Sequence, residues 1–233
     1  MAFDELFMIS EDMPTFRLYS WACPTVSLGH FQEVDDSLAA ECKKHGVALV
    51  RRPTGGRAVF HDKEITYSIC SPYEQFPLPH SLKGVYSTIA DWLINFFKRI
   101  GIKVYLDKKW SPQKQYMKSN ACFLTATPYE MLTSGKKICG SAQKRGRESF
   151  LQHGSIPIEI DANLFAKLMG LDNSRLDTFT SLGNEGCLMD IEELSDILIQ
   201  EFEIALNCRL QLHEPSEAEI KAAEKLKSKF ELL

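Results

Sequence analysis

The chain has 233 residues, 44% of them hydrophobic and 25% charged, which suffices for a sizeable core and is ordinary for one large soluble domain. A formal net charge of −4 argues against general nucleic-acid binding, and the apolar runs are far too short to span a bilayer. Seven scattered cysteines with no Cys-x-x-Cys spacing fit reduced thiols better than a disulfide framework or a zinc site, and no signal-peptide pattern opens the chain, so a cytoplasmic location and no metal are expected.

Periodicity predicts a helix over Ala2–Met8, with Phe3, Leu6 and Phe7 on one face, then strands at Thr15–Trp21 and Thr25–Leu28. A helix follows from Asp35 to His45, closed by Gly46. The apolar run Val47–Val50 reads as a buried strand, and Glu64–Ile69 alternates like a second one. Ser71–Pro79 is a Pro-rich connection. Ser81–Ile100 is the clearest helix, with Leu82, Val85, Ile89, Trp92 and Phe96 in one stripe and Gly101 at its end. Lys103–Leu106 reads as a strand. Asp107–Asn120 is polar, basic and aperiodic, and is expected to be the least ordered interior segment because it buries little to offset ordering entropy.

Tyr129–Leu132 and Lys137–Cys139 read as strands around a turn at Ser134-Gly135, and Ser149–Ile156 as another. Asp161 caps a helix through Met169 that Gly170 ends, and Asp172–Glu185 is a loop. Asp190 caps the helix Ile191–Leu206, with Leu194, Leu198, Phe202 and Ala205 inward. Arg209–Leu212 reads as a strand, and Ser216 with Glu219 as a capping box for a last helix to Phe230. Helices and short strands mix without a βαβ rhythm. The predicted class is α+β: a single domain, residues 1–233, with a mixed, largely antiparallel sheet flanked by helices.

Two stretches stand out chemically. The first is Arg51-Arg52-Pro53-Thr54-Gly55-Gly56-Arg57-Ala58-Val59-Phe60-His61-Asp62. Adjacent glycines permit positive φ and close ligand approach, and neighbouring amides can hold an oxyanion or a phosphate. The bland alternative is a hairpin with a Gly-rich turn and solvated arginines. The second is Gly135-Lys136-Lys137-Ile138-Cys139-Gly140-Ser141-Ala142-Gln143-Lys144-Arg145, followed by Leu151-Gln152-His153-Gly154-Ser155-Ile156. In a strand Lys136 and Lys137 point to opposite faces, so only one faces a pocket.

Together the two stretches resemble the lipoate–protein ligase A family, within the biotin/lipoyl protein-ligase fold, over nearly the whole chain. The resemblance implies a substrate site at Arg51, Arg52, Thr54, Gly55, Gly56, Arg57, His61, Gly140, Ser141, Ala142, His153 and Gly154, with Lys137 as the functional lysine. The family usually has a strand before the first helix and often a C-terminal accessory domain; neither is expected here. Asn120-Ala121-Cys122-Phe123, then Tyr129-Glu130, with Arg57 after Gly55-Gly56, looks like the cysteine-dependent octanoyltransferase branch. Cys122 by itself reads as a buried packing residue; the resemblance makes it a nucleophile.

The implied chemistry is thioester formation on Cys122, its thiolate favoured by Lys137 with Arg51 or Arg52 behind, then attack by a lysine ε-amino group. The implied donor is an acidic acyl carrier protein. The implied acceptors are lipoyl domains of 2-oxoacid dehydrogenases or the glycine-cleavage carrier protein. No cofactor is needed for that route. The alternative is an ATP-dependent lipoate ligase, using lipoate, ATP and Mg2+ through a lipoyl-adenylate; a non-catalytic acyl-binding relative is the non-enzyme reading. Tyr19, Trp21, Val26, Val59 and Tyr67 are candidate walls for an acyl slot. His61 and His153 read by default as structural histidines, with His153 the better pocket residue. Cys70 and Cys139 read as packing.

Overall fold

The computed structural model describes residues 1–10, 13–76, 81–107, 130–171 and 173–232. Two sheets face one another. The larger has six strands in the order β1 (Thr15–Tyr19), β5 (Glu64–Pro72), β9 (Ser149–Pro157), β8 (Lys136–Arg145), β7 (Glu130–Thr133) and β6 (Tyr105–Asp107), each antiparallel to its neighbours. The smaller has β2 (Thr25–Leu28) at its centre, parallel to β3 (Ala48–Arg51) and antiparallel to β4 (Val59–His61). The expected single sheet is therefore two, and the class α+β holds.

Alternation along β5 decides which way each sheet looks. Ile65, Tyr67 and Ile69 enter a core shared with α3 (Leu82–Arg99) and α5 (Ile191–Leu206). Glu64 and Thr66 take the opposite face, as a period of two requires. Trp92 of α3 joins the layers. Its ring meets Phe16, Tyr67 and Phe202 edge-on, and its indole donates to the Leu198 carbonyl at 2.9 Å. Edge-to-face contact and a satisfied N–H suit so large a buried side chain. The small sheet packs Val26, Leu28, Leu49 and Phe60 against α2 (Asp36–His45) and α4 (Ala162–Met169). No helix among the described residues is long and apolar enough to cross a membrane.

Local signals place the helices well. Asp35, Ser81, Asp161, Asp190 and Ser216 each accept N-cap bonds, and Gly46 and Gly170 close their helices in the left-handed region. α1 (Ala2–Ser10) runs two residues past its expected end. Ser134 (φ +48°) and Gly135 (φ +80°) form the tight turn between β7 and β8.

Other expectations fail for tertiary reasons. Arg209–Leu212 is not a strand; the Glu203 carboxylate takes the Leu210 amide at 2.8 Å, and Leu212 projects into solvent. The last helix, α6 (Glu217–Lys227), stops short of Phe230, whose carbonyl accepts from the Arg51 amide at 2.7 Å. A 3-10 turn over Asn173–Thr178 interrupts the expected loop at 172–185. Asp107 belongs to β6 rather than to a loop, and the rest of that stretch lies outside the described residues. The Gly-rich stretch is not a hairpin turn: β3 and β4 lie on opposite sides of β2, so residues 52–58 cross over it.

Candidate functional site

A pocket opens between the two sheets, about 430 Å³ when the space open to solvent is counted. Ser27, Arg52, Val59 and His61 line it from the small sheet and its crossing loop. Thr66, Gly140, Ser141, Ala142, His153, Gly154 and Ser155 line it from the large one. Seven of the expected site residues meet here: Arg52, His61, Gly140, Ser141, Ala142, His153 and Gly154. Strand register explains the large-sheet set. Ala142 pairs with His153 and Ser141 with Gly154, while Gly154 pairs with Tyr67 on its other side. A Cβ on Gly154 would come within 2.4 Å of the Tyr67 ring and 2.6 Å of the Gly140 carbonyl, so only glycine fits.

The two arginines brace the loop, and Arg52 also lines the cavity. Arg52 is 3% exposed and donates to the carbonyls of Ser27 (2.9 Å), Gly55 (2.8 Å) and Arg57 (2.7 Å) and to the Thr54 hydroxyl (3.2 Å). Arg51 donates to the carbonyls of Gly29, His30 and Gln32 at 3.0, 3.1 and 2.5 Å. The planar fork of a guanidinium suits such carbonyl clusters. Gly29 lets the two loops touch, because a Cβ there would sit 1.9 Å from the Gly56 oxygen; Gly56 itself has φ +94°. Gly55, Gly56 and Arg57 are thus held at the loop and are not among the cavity-lining residues.

Lys137 is buried, its Nζ 2.7 Å from Glu130 Oε1 on the neighbouring strand, whereas Lys136 is half-buried and faces Asp177 at 3.8 Å. The two lysines divide between the faces as alternation requires. Lys137 is not a cavity-lining residue; Gly140–Ala142 of its strand are. Cys122 lies outside the described residues.

Two buried histidines flank the cavity. His61 Nδ1 is 2.8 Å from Glu64 Oε1, and its Nε2 is 2.7 Å from Ser27 Oγ. Glu64 also accepts from Thr66 and Ser155 hydroxyls at 2.5 Å and from the Trp21 indole at 3.1 Å. Burial by itself would raise the Glu64 pKa, but His61 and the Ser155 and Thr66 hydroxyls outweigh it and hold the carboxyl below its usual range. His153 Nε2 is 2.7 Å from the Thr54 hydroxyl, and its Nδ1 is 3.5 Å from Asp4, too long for a good hydrogen bond. Burial pushes the His153 pKa down, against the opposing pull of Asp4, so the ring is neutral near pH 7.

His61 is buried, with its ring stacked on Trp21 at 4.2 Å. Of the five candidate slot residues, Val59 lines the cavity. Val26 belongs to the small-sheet core, Tyr67 to the helix-side core with its hydroxyl on Ser141, Trp21 to His61 and Tyr19 to Asp4. Cys70 and Cys139 are packing residues, as expected, and burial pushes both thiols up to about 12. Sequence reasoning missed Ser27, Glu64, Thr66, Ser155, Asp4 and the pairing of Glu130. The one signal available was Glu64-x-Thr66-x-Ser68, a polar face on a strand otherwise apolar enough to be buried on both sides.

Residues 1–203 match the lipoyl protein ligase A/B catalytic domain family. The octanoyltransferase LipM of Kyrpidia tusciae is 35% identical over 249 residues, covering 99% of this chain and 90% of that protein. The octanoyltransferase LipM of Anoxybacillus flavithermus is 34% identical over 234 residues, covering 94% and 84%. Among solved structures, a lipoate-protein ligase A bound with ATP superposes with a TM-score of 0.80 at 22% identity, covering 98% of this chain and 88% of that one. The bipartite lipoate protein ligase of Thermoplasma acidophilum gives 0.75 at 21%, covering 98% and 86%. At such identities the structural likeness concerns the fold alone. With a family match over most of its length and relatives about one-third identical, this chain belongs to the lipoyl protein ligase A/B catalytic domain family.

Proposed function

We propose that this enzyme transfers an octanoyl group to the ε-amino group of a lysine on a lipoyl-carrier domain, through a thioester on Cys122. The observation that carries the reading is the likeness, over 94–99% of this chain, to proteins named octanoyltransferase. Cys122-Phe123 and Tyr129-Glu130 in the sequence agree with it. A thioester donor arrives already activated, so the route needs neither ATP nor a metal. The Cys122 thiolate attacks the donor carbonyl and the carrier thiol leaves; the acceptor amine then attacks the acyl-enzyme and the Cys122 thiolate is released. Each step carries acyl from sulfur to sulfur and then to nitrogen, the last being downhill.

The described residues supply the surroundings. Lys137, held by Glu130, is the buried cation nearest in sequence to Cys122 among the described residues and is the one assigned to the thiolate. The cavity between the sheets takes the acyl chain, with Val59 and Ala142 among its apolar walls. The brace of Arg51 and Arg52 fixes the Gly55-Gly56 backbone against the segment from Gly29 to Gln32. The donor is an acidic acyl carrier protein and the acceptor a lipoyl domain.

Intact-mass spectrometry with an octanoyl-carrier donor tests this reading. The parent protein is expected to gain one octanoyl group, and Cys122→Ala to gain none and to lose transfer by on the order of a thousand-fold in kcat. Robust ATP-dependent lipoylation by Cys122→Ala, with no mass adduct on the parent, would instead establish a ligase that works through lipoyl-adenylate.

A further inference from the structure

Two of the cavity-lining residues, Ser27 and His61, begin a hydrogen-bonded chain that continues to Glu64 behind them. Ser27 comes from the centre of the small sheet, His61 from the end of β4, and Glu64 from the start of β5. Ser27 Oγ to His61 Nε2 is 2.7 Å, and His61 Nδ1 to Glu64 Oε1 is 2.8 Å. Arg52 donates to the same serine oxygen at 3.3 Å. One assignment of hydrogens satisfies every contact. Glu64, ionised, accepts from His61 Nδ1–H; this leaves the lone pair on Nε2, which accepts from the Ser27 hydroxyl. The serine oxygen then has two acceptor positions, one taken by Arg52 and one left for a donor arriving through the cavity that Ser27 lines.

The surroundings suit an acid–base task. Trp21 stacks on the imidazole and donates to Glu64, so ring and carboxylate cannot turn. Thr66 and Ser155 complete the carboxylate's shell. β2 is buried throughout, and while Val26 and Leu28 turn to the small-sheet core, Ser27 takes the opposite face and lines the cavity. The other cavity histidine is less fit: its Nδ1 has no hydrogen-bond partner, and its Nε2 faces Thr54, a hydroxyl not among the cavity-lining residues.

We propose that Ser27, His61 and Glu64 form a proton relay for the second half of the transfer, taking the proton that the acceptor lysine gives up as it attacks the acyl thioester. The proposal rests on the acyltransferase reading above and specifies its acid–base chemistry. The neutral amine forms the C–N bond, the C–S bond breaks, and its electron pair leaves on sulfur as a thiolate. The surplus proton on nitrogen passes to Ser27 Oγ while the Ser27 proton passes to His61 Nε2. Glu64 stabilises the imidazolium, which afterwards returns its proton to the thiolate or to solvent.

Two nucleophiles separate this role from a structural one. Hydroxylamine is neutral at pH 7 and weakly basic, so it cleaves the acyl-enzyme with little need of a base. A lipoyl-domain lysine needs one. Octanoyl-enzyme formation, hydroxylamine cleavage and transfer to the lysine acceptor are measured separately on Ser27→Ala and His61→Gln, with thermal melting as the check on folding. Transfer to lysine is expected to fall by about 100-fold more than acylation and hydroxylamine cleavage do in the same variant, the lower end of a general-base contribution. Unchanged lysine transfer in Ser27→Ala would overturn the relay, and so would an equal loss in all three measurements. A parent protein that modifies lysine without a Cys122 adduct sinks the thioester reading alone; the lysine-to-hydroxylamine ratio on the donor actually consumed still decides the relay.

Discussion

At the scale of single residues, His153 links the site to the stability of the fold. Its folded pKa lies below the ordinary value of 6.5 because burial penalises the charged ring. The unfolded chain therefore binds a proton, as pH falls through about 6.5, that the folded chain refuses. The stabilising contribution is fully present above that pH and is lost progressively toward the lower folded pKa. Arg52 opposes protonation and Asp4 favours it, but neither reverses the sign. The unfolding free energy from urea titration is expected to fall between pH 7 and pH 5.5, by no more than about 1.4 kcal/mol per pH unit from this group. His153→Gln should flatten that slope; an unchanged slope would show that the ring titrates normally in the folded state.

Among the elements, the crossing loop and the helices contrast sharply. Helices are specified locally: Asp190 caps α5 with a reciprocal bond from Glu193. Asp190→Ala should cost about 1 kcal/mol in chemical denaturation and leave acyl transfer unchanged. The Gly55-Gly56 loop is specified by what lies against it. A methyl group at Gly29 would sit 1.9 Å from the Gly56 oxygen, backbone against backbone, so the loops must part. Gly29→Ala is therefore expected to lower transfer by at least tenfold while the helices melt cooperatively. Equal activity in Gly29→Ala and Asp190→Ala would show that loop position does not govern the chemistry.

For the molecule as a whole, the small sheet is completed by chain from the other end of the sequence. The Leu232 amide donates to the Leu49 carbonyl at 2.9 Å, and the Phe230 carbonyl accepts from Arg51, beside the clamp that Arg51 makes on residues 29–32. Segment 230–232 thereby covers an edge of β3 that would otherwise offer free backbone groups to another chain. Deleting residues 230–233 should lower the melting temperature and raise the fraction of associated protein in size-exclusion chromatography. A monomeric deletion variant with parent stability would show the cover to be dispensable.

The sequence by itself determined the helices, their caps, most strands and the two stretches that build the site. Those features depend on residues within about four positions of one another, as the Asp35, Asp161 and Asp190 caps do. Arg52, His61, Gly140, His153 and Gly154, singled out because the motifs that carry them resemble a known family, do line one cavity. Only the tertiary structure shows which groups they contact. Arg51 and Arg52, read as cations for a substrate, spend their donors on loop carbonyls. Glu64, read as one polar position on an alternating strand, is the buried anchor of His61. The bonds that decide this join residues far apart: Ser27 to His61 across 34 positions, Glu64 to Ser155 across 91, and Thr54 to His153 across 99. No periodicity encodes such pairs. They arise when strands distant in sequence pair within one sheet, as for Ser27 with His61 and Glu64 with Ser155, or when the two sheets meet, as for Thr54 with His153, because each buried polar group must then find a partner.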